Sequence, residues 1–265
     1  MRFADRYGPW AVVLGASEGL GAAYAEELAG RGVNVVVAAR RSAPLHEVAD
    51  SLHRAHGVET RVAVLDLAAE DLVTTLRTVT DGLDIGLVVY NATGHFIGPF
   101  LDETLDHALE QVAINVRGVL AVCHHFAGQM LTRGHGGLVL MGSGAGIAGT
   151  AGLAVYSATK AFDLTLAQAL HLEWRDRGVD VLGVIAPAID TPNFRRQFDH
   201  DPRSLPQPPL APAQVAREVL DALGAEMEMM PGEAGRQGYA LLSALPRIDQ
   251  ARMLSARFAA TNEGP

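Results

Sequence analysis

Two hydrophobic rhythms divide the chain. Short apolar runs, many of them β-branched, occupy residues 10–14, 33–39, 58–65, 85–90, 138–141 and 179–185, and the run at 33–39 lacks sustained polar alternation. Such runs fit strands of a parallel sheet covered on both faces. Between them the apolar period lengthens to three and four. Leu20, Ala23, Tyr24 and Leu28 mark one helix, stopped by Gly30 and Gly32, and Leu105, Leu109, Val112, Val116 and Val119 mark one long core helix over 104–132. Further helices are predicted over 156–175, 213–223 and 239–258, the last broken near Pro246, with an edge strand over 226–230. Six continuous βα alternations without repeat or linker predict an α/β class protein, a doubly wound parallel sheet with helices on both faces, as one domain spanning 1–265.

The turns that follow these strands carry the chemistry. Gly15, Gly19 and Gly21 sit between the first strand and the first long helix in a G-x-x-x-G-x-G spacing, Leu14-Gly15-Ala16-Ser17-Glu18-Gly19-Leu20-Gly21. Glycine admits the backbone angles of such a turn and lets a pyrophosphate approach main-chain N–H groups at a helix N-terminus. Arg40 and Arg41 follow the second strand, where a Rossmann-type site meets the adenosine ribose. An acidic residue there would bond the 2′-hydroxyl of NAD; Ala39 beside a guanidinium suits the 2′-phosphate of NADP, with Arg40 ahead of Arg41. Asp66, with Leu67, closes the third strand, where its carboxylate either accepts from an adenine amino group or caps a helix. Asn91 and Ala92 end the fourth strand facing the same cleft, and the loop after the sixth, including Pro187, Ile189 and Thr191, reaches the cofactor.

Asn115 lies mid-helix, where asparagine is a mediocre helix former. Ser143 projects from the end of the fifth strand, and Tyr156 and Lys160 stand one helical turn apart. A phenol of ordinary pKa about 10 exchanges its proton near neutrality only if the anion is stabilised, and a neighbouring ammonium does that. Alternatively the pair is a boundary tyrosine and a snorkelling lysine. His95, Phe96, Ala145, Leu153, Phe194 and Phe198 offer carbon surface near the strand ends and are expected to line an apolar substrate cleft, with 189–212 as its lid. Arg195 and Arg196 in that lid either face solvent or receive an acyl-CoA phosphate.

Composition narrows the field. A net charge of −9 argues against a nucleic-acid footprint, and the single Cys123 excludes an intramolecular disulfide and cysteine-based zinc spacings, so no metal is expected. No apolar run approaches the roughly 18 residues needed to span a bilayer, and a cytoplasmic location is expected.

Taken in order, these motifs resemble the classical short-chain dehydrogenase/reductase family over nearly the whole chain. The resemblance rests on the glycine turn with Ser17 and Leu20, on Asp66, on Asn91-Ala92, and on Ser143, Tyr156 and Lys160, with 156 − 143 = 13 as the family commonly spaces them. Tyr7-Gly8-Pro9-Trp10, Tyr24-Ala25-Glu26-Glu27-Leu28 and Tyr156-Ser157-Ala158-Thr159-Lys160 look like 17β-hydroxysteroid dehydrogenases and 3-oxoacyl-CoA reductases. Leu14 for threonine, Tyr90-Asn91-Ala92-Thr93 for Asn-Asn-Ala-Gly, and Ala188 for glycine are its departures. The resemblance implies a Rossmann fold, NADP(H), and a reversible reductase of a hydrophobic steroid, 3-oxoacyl or cyclic ketone. Tyr156 would be the acid, Ser143 the carbonyl contact, Lys160 the partner of Tyr156 and the nicotinamide ribose, and Asn115 the holder of a relay water. It also implies a homodimer or homotetramer, whose tetramer interface the segment 232–258 could cap. A catalytically silent NADP-binding regulatory or scaffold protein is the alternative, and it would be expected to have lost one of the four.

Overall fold

The computed structural model describes residues 2–197 and 208–263. Helix α1 (Phe3–Tyr7), which the apolar pattern does not announce, leads into β1 (Trp10–Leu14), α2 (Gly19–Gly30), β2 (Asn34–Ala39), α3 (Ser42–His56), β3 (Thr60–Val64), α4 (Leu72–Thr80) and β4 (Ile85–Tyr90). The second half contains α5 (Leu105–Val112), α6 (Val119–Arg133), β5 (Gly136–Met141), α7 (Ala154–Trp174), β6 (Val179–Val184), α8 (Pro192–Arg195), α9 (Pro212–Ala222), β7 (Glu228–Met229), α10 (Glu233–Ser243) and α11 (Arg247–Glu263). All seven strands pair in parallel, in the order β3-β2-β1-β4-β5-β6-β7. The order reverses between β1 and β4, so the crevice at their carboxyl ends is where ligands bind in open sheets of this kind.

Alternation along each strand splits the core. Ala11 and Val13 face one layer with Tyr24 and Leu28 of α2, Leu45 and Leu52 of α3, and Val215 and Val219 of α9. Val12 and Leu14 face the other, with Leu76 of α4, Val122 and Phe126 of α6, and Ala167 of α7. Both faces are therefore covered, as continuous apolar strands require.

The long helix expected over 104–132 differs in two ways. It starts where the Thr104 hydroxyl accepts from the His107 amide, but between α5 and α6 it relaxes into a π-helical turn, Ala113–Gly118, centred near Asn115. Its first half is also not core: Leu105 is 72% exposed and Leu109 55%, so the period of four reports an outward apolar stripe there.

Candidate active site

The glycine turn forms a cradle that side chains would fill. Gly15 (φ +83°) and Gly19 (φ +60°) take left-handed backbone angles, and a Cβ on Gly15 would lie 2.9 Å from the backbone of Ala92. Gly21 is no cleft residue; it lies inside, where a Cβ would meet the Gly15 carbonyl oxygen at 2.0 Å, so it lets α2 close onto the turn. No side chain caps the N-terminus of α2, leaving its first N–H groups for an anion. These features fit a dinucleotide pyrophosphate.

One cleft of about 1610 Å³ runs from this turn across the carboxyl ends of the strands. That volume exceeds the ~300–1,000 Å³ of a single drug-sized ligand, so it has room for a dinucleotide and a second molecule. Ser17, Glu18, Gly19, Leu20, Arg40, Arg41, Asp66, Leu67, Asn91, Ala92, Pro187, Ile189 and Thr191 all line it. Asp66 also accepts from the Ala68 amide at 2.9 Å, a local turn rather than a helix cap. The two arginines are held differently. Arg41 Nη2 lies 3.0 Å from Ser17 Oγ and 3.1 Å from Glu18, against the turn, whereas Arg40 leans toward Glu110 of α5 at 3.6 Å. Glu18 also accepts from Arg196 at 2.6 Å; that bond, together with Arg41 and against burial, holds its carboxyl below the ordinary range. Arg195 is likewise paired, with Asp190 at 2.6 Å. Both lid arginines are thus engaged by carboxylates.

Ser143, Tyr156 and Lys160 line the same cleft. Ser143 follows β5, its Oγ accepting from the Ala145 amide at 3.2 Å, while the Gly144 amide donates to the Ala186 carbonyl at 2.9 Å and so joins the β5 and β6 loops. Gly146 is needed beneath them: a Cβ would lie 2.6 Å from the Lys160 backbone. Lys160 Nζ stands 5.9 Å from the Tyr156 ring centroid. It is the only lysine in the sequence; every other strong base is arginine.

Asn115 is fully buried and does not line the cleft. Its amide oxygen accepts from the Gly94 amide (2.9 Å) and Thr93 Oγ (3.2 Å), and its Nδ2 donates to the Gly94 carbonyl (2.8 Å) and Thr159 Oγ (3.0 Å). The side chain therefore ties the β4 loop and α7 to the π turn, and π turns shift carbonyls out of the usual ladder, often at functional sites. Tyr90, a departure from the family pattern, supports the same turn: its hydroxyl donates to the Ile114 carbonyl at 2.6 Å, over Gly118.

At the substrate end, His95, Ala145, Leu153 and Phe194 line the cleft. Burial first, and then the nearby His107, lowers the His95 pKa, so its imidazole is neutral near pH 7. Phe96 does not line the cleft; it packs edge-on against His107, ring centroids 6.2 Å apart. Phe198 lies outside the described residues, as does the lid over 198–207. The helix predicted over 239–258 and broken near Pro246 is present as α10 and α11, but the sequence reading did not place it at this end of the cleft. Residues of α10 and α11 line the cleft, Tyr239, Leu242, Leu254 and Phe258 together with Met230 ahead of them, and the Ala151 amide donates to Ser255 Oγ at 2.9 Å. The signal was Tyr239 and Leu242, then Leu254 and Phe258, an apolar face at spacings of three and four.

A Rossmann sheet with a glycine cradle at its switch point and a Ser-Tyr-Lys group beside it defines a nicotinamide-type oxidoreductase acting on hydroxyl or carbonyl carbon. The chain belongs to the classical short-chain dehydrogenase/reductase family: the short chain dehydrogenase profile matches residues 9–202. It is 32% identical over 260 residues to the 7β-hydroxysteroid dehydrogenase of Clostridium sardiniense, covering 97% of this chain and 98% of that one. With the human very-long-chain 3-oxoacyl-CoA reductase it shares 36% over 188 residues, 69% of this chain and 60% of that one. Among solved structures, a 7β-hydroxysteroid dehydrogenase superposes with a TM-score of 0.90 at 28% identity, covering 96% of this chain and 99% of the other. A short-chain dehydrogenase from Sphingobium yanoikuyae in complex with NADPH gives 0.76 at 27%, covering 90% and 96%. No helix among the described residues is long and apolar enough to cross a membrane.

Proposed function

We propose that this chain is an NADPH-dependent reductase of a bulky hydrophobic ketone, reversible as an alcohol dehydrogenase. The observation that carries this is the continuity of one cleft: a phosphate cradle flanked by Arg41 and Arg40, then Tyr156, Lys160 and Ser143, then an apolar chamber under α10 and α11. NADPH, when bound, supplies the hydride. Gly15, Gly19 and the open end of α2 hold its pyrophosphate, and Arg41 with Arg40 its 2′-phosphate. Ser143 Oγ donates to the substrate oxygen, and the Tyr156 hydroxyl delivers a proton to that oxygen as negative charge develops on it. The Lys160 ammonium favours the phenolate left behind.

The 7β-hydroxysteroid dehydrogenases among its relatives favour a rigid polycyclic substrate, and Arg195 and Arg196, the lid arginines among the described residues, are each paired with a carboxylate. A panel of steroid ketones, 3-oxoacyl thioesters and small cyclic ketones, followed by nicotinamide absorbance with NADPH and with NADH, tests the reading. Turnover of bulky ketones with NADPH is expected; an enzyme that turns over only with NADH, or only with small ketones, would refute it. We also propose that the exposed stripe of Phe100, Leu101, Leu105 and Leu109 packs against a second copy in a homo-oligomer.

A further inference from the structure

Lys160 has a buried counter-charge. Asp163, one turn along α7, places Oδ2 3.0 Å from Lys160 Nζ, and both side chains are 2% exposed. The Met141 carbonyl accepts a second bond from the same nitrogen at 2.7 Å. Of the three ammonium N–H groups, one remains for the cleft. Asp163 Oδ1 is buried with no hydrogen-bond partner among the described residues, so the carboxylate is committed to Lys160 alone.

The groups around the pair are neutral. Tyr90 from β4 and Cys123 from α6 are both pushed up, Cys123 to about 12, chiefly by burial and then by the Asp163 charge. Tyr156 and Thr159 on α7 and Asn115 on the π turn bring no formal cation, and His95 beyond Tyr156 is kept neutral by burial. Burial likewise raises Asp163, against the pull of Lys160. A buried ion pair is a poor source of stability, since apolar residues of similar volume often replace one without loss, so stability alone does not account for it.

Resting on the reading of Tyr156 as the acid, we infer that Asp163 is a positioning residue for the reaction: it anchors the Lys160 ammonium and keeps it charged, so that a fixed positive charge faces Tyr156. Without it the ammonium is left uncompensated in the core and sheds its proton as the medium turns alkaline.

Because Lys160 is the sole lysine, carbon-13 labelling of lysine Cε gives one lysine signal that needs no assignment, read on the full chain without cofactor or turnover. In the native chain the signal is expected to hold the ammonium position at pH 8. In Asp163→Asn the midpoint of its change is expected at least about 2 pH units lower. Equal midpoints would overturn the proposal, and so would a native chain already showing the amine at pH 8, which decides the matter even if the variant does not fold. Ketone reduction by Asp163→Asn should gain a descending alkaline limb at the same midpoint, whereas a loss uniform across pH would mark a merely structural role and overturn the proposal. Tyr156→Phe separates the two levels: full turnover by it would remove the reading beneath the proposal, while its inactivity with unaltered Asp163→Asn behaviour would defeat the proposal alone.

Discussion

Cofactor choice offers a two-signed prediction. Arg41 is held between Ser17 Oγ and Glu18, half exposed at 51%, and Arg40 is more exposed at 65% with a longer contact to Glu110. A charge-assisted bond contributes about 1.5–3 kcal/mol, and solvent screening at half exposure places Arg41 at the lower end, so Arg41→Gln should weaken NADPH about tenfold. Arg40→Gln should cost less, and neither change should move NADH, which lacks the 2′-phosphate. Glu18 supplies the opposite sign. Its carboxylate competes with the phosphate for Arg41, so Glu18→Gln should tighten NADPH and leave NADH unchanged. Fluorescence titration of both cofactors at low and at high salt checks all three variants, and the NADPH advantage should shrink with salt. Parallel losses for NADPH and NADH in Arg41→Gln, or weaker NADPH binding by Glu18→Gln, would refute the assignment of this corner to a phosphate.

The cap helices should discriminate by substrate size: Leu254→Ala with Phe258→Ala removes apolar wall and should raise KM for a bulky ketone about 5- to 30-fold, at about 1–2 kcal/mol, while a small cyclic ketone keeps its KM. Acid should loosen the same cap. Burial opposes ionisation of Glu218, but the Gly232 amide at 2.8 Å, Gln214 and Arg236 outweigh it and hold the carboxyl below its ordinary value. A depressed carboxyl stabilises the fold fully above its unfolded value of about 4.3 and loses that contribution as pH falls through the folded one. Hydrogen exchange in α10 should therefore accelerate below about pH 4, and Glu218→Ala should show the fast exchange already at neutral pH. Sedimentation should find a species larger than 28.0 kDa, and Leu105→Glu with Leu109→Glu should return the 28.0 kDa chain; a native chain of 28.0 kDa would dispose of the stripe as an interface.

Strands and the glycine turn were legible because their signals are local. A β-branched run such as Val35-Val36-Val37 and a glycine that must take φ +83° are dictated by near neighbours. The Ser143, Tyr156 and Lys160 group was legible as spacing, once the sheet put their loops at one edge. What escaped depends on distant partners. The period of four in Leu105 and Leu109 is the same whether the stripe meets a core or solvent, and only packing tells which. The π turn is braced by Tyr90, 24 residues before the carbonyl it holds, and by the Asn115 bonds, and α11 is tied to the β5 loop through Ser255. Asn115 was rightly noticed as an odd helix residue; that it serves through Gly94 and Thr159 required their positions.

The central claim is hydride transfer to a ketone carbon with Tyr156 returning the proton. Incubating the enzyme with a bulky ketone and NADPH deuterated at the transferable position, then weighing the alcohol, tests it most directly. The account predicts one deuterium on the carbinol carbon with the native enzyme and no alcohol above background with Tyr156→Phe. Alcohol lacking deuterium, or labelled alcohol formed equally fast by Tyr156→Phe, would contradict it.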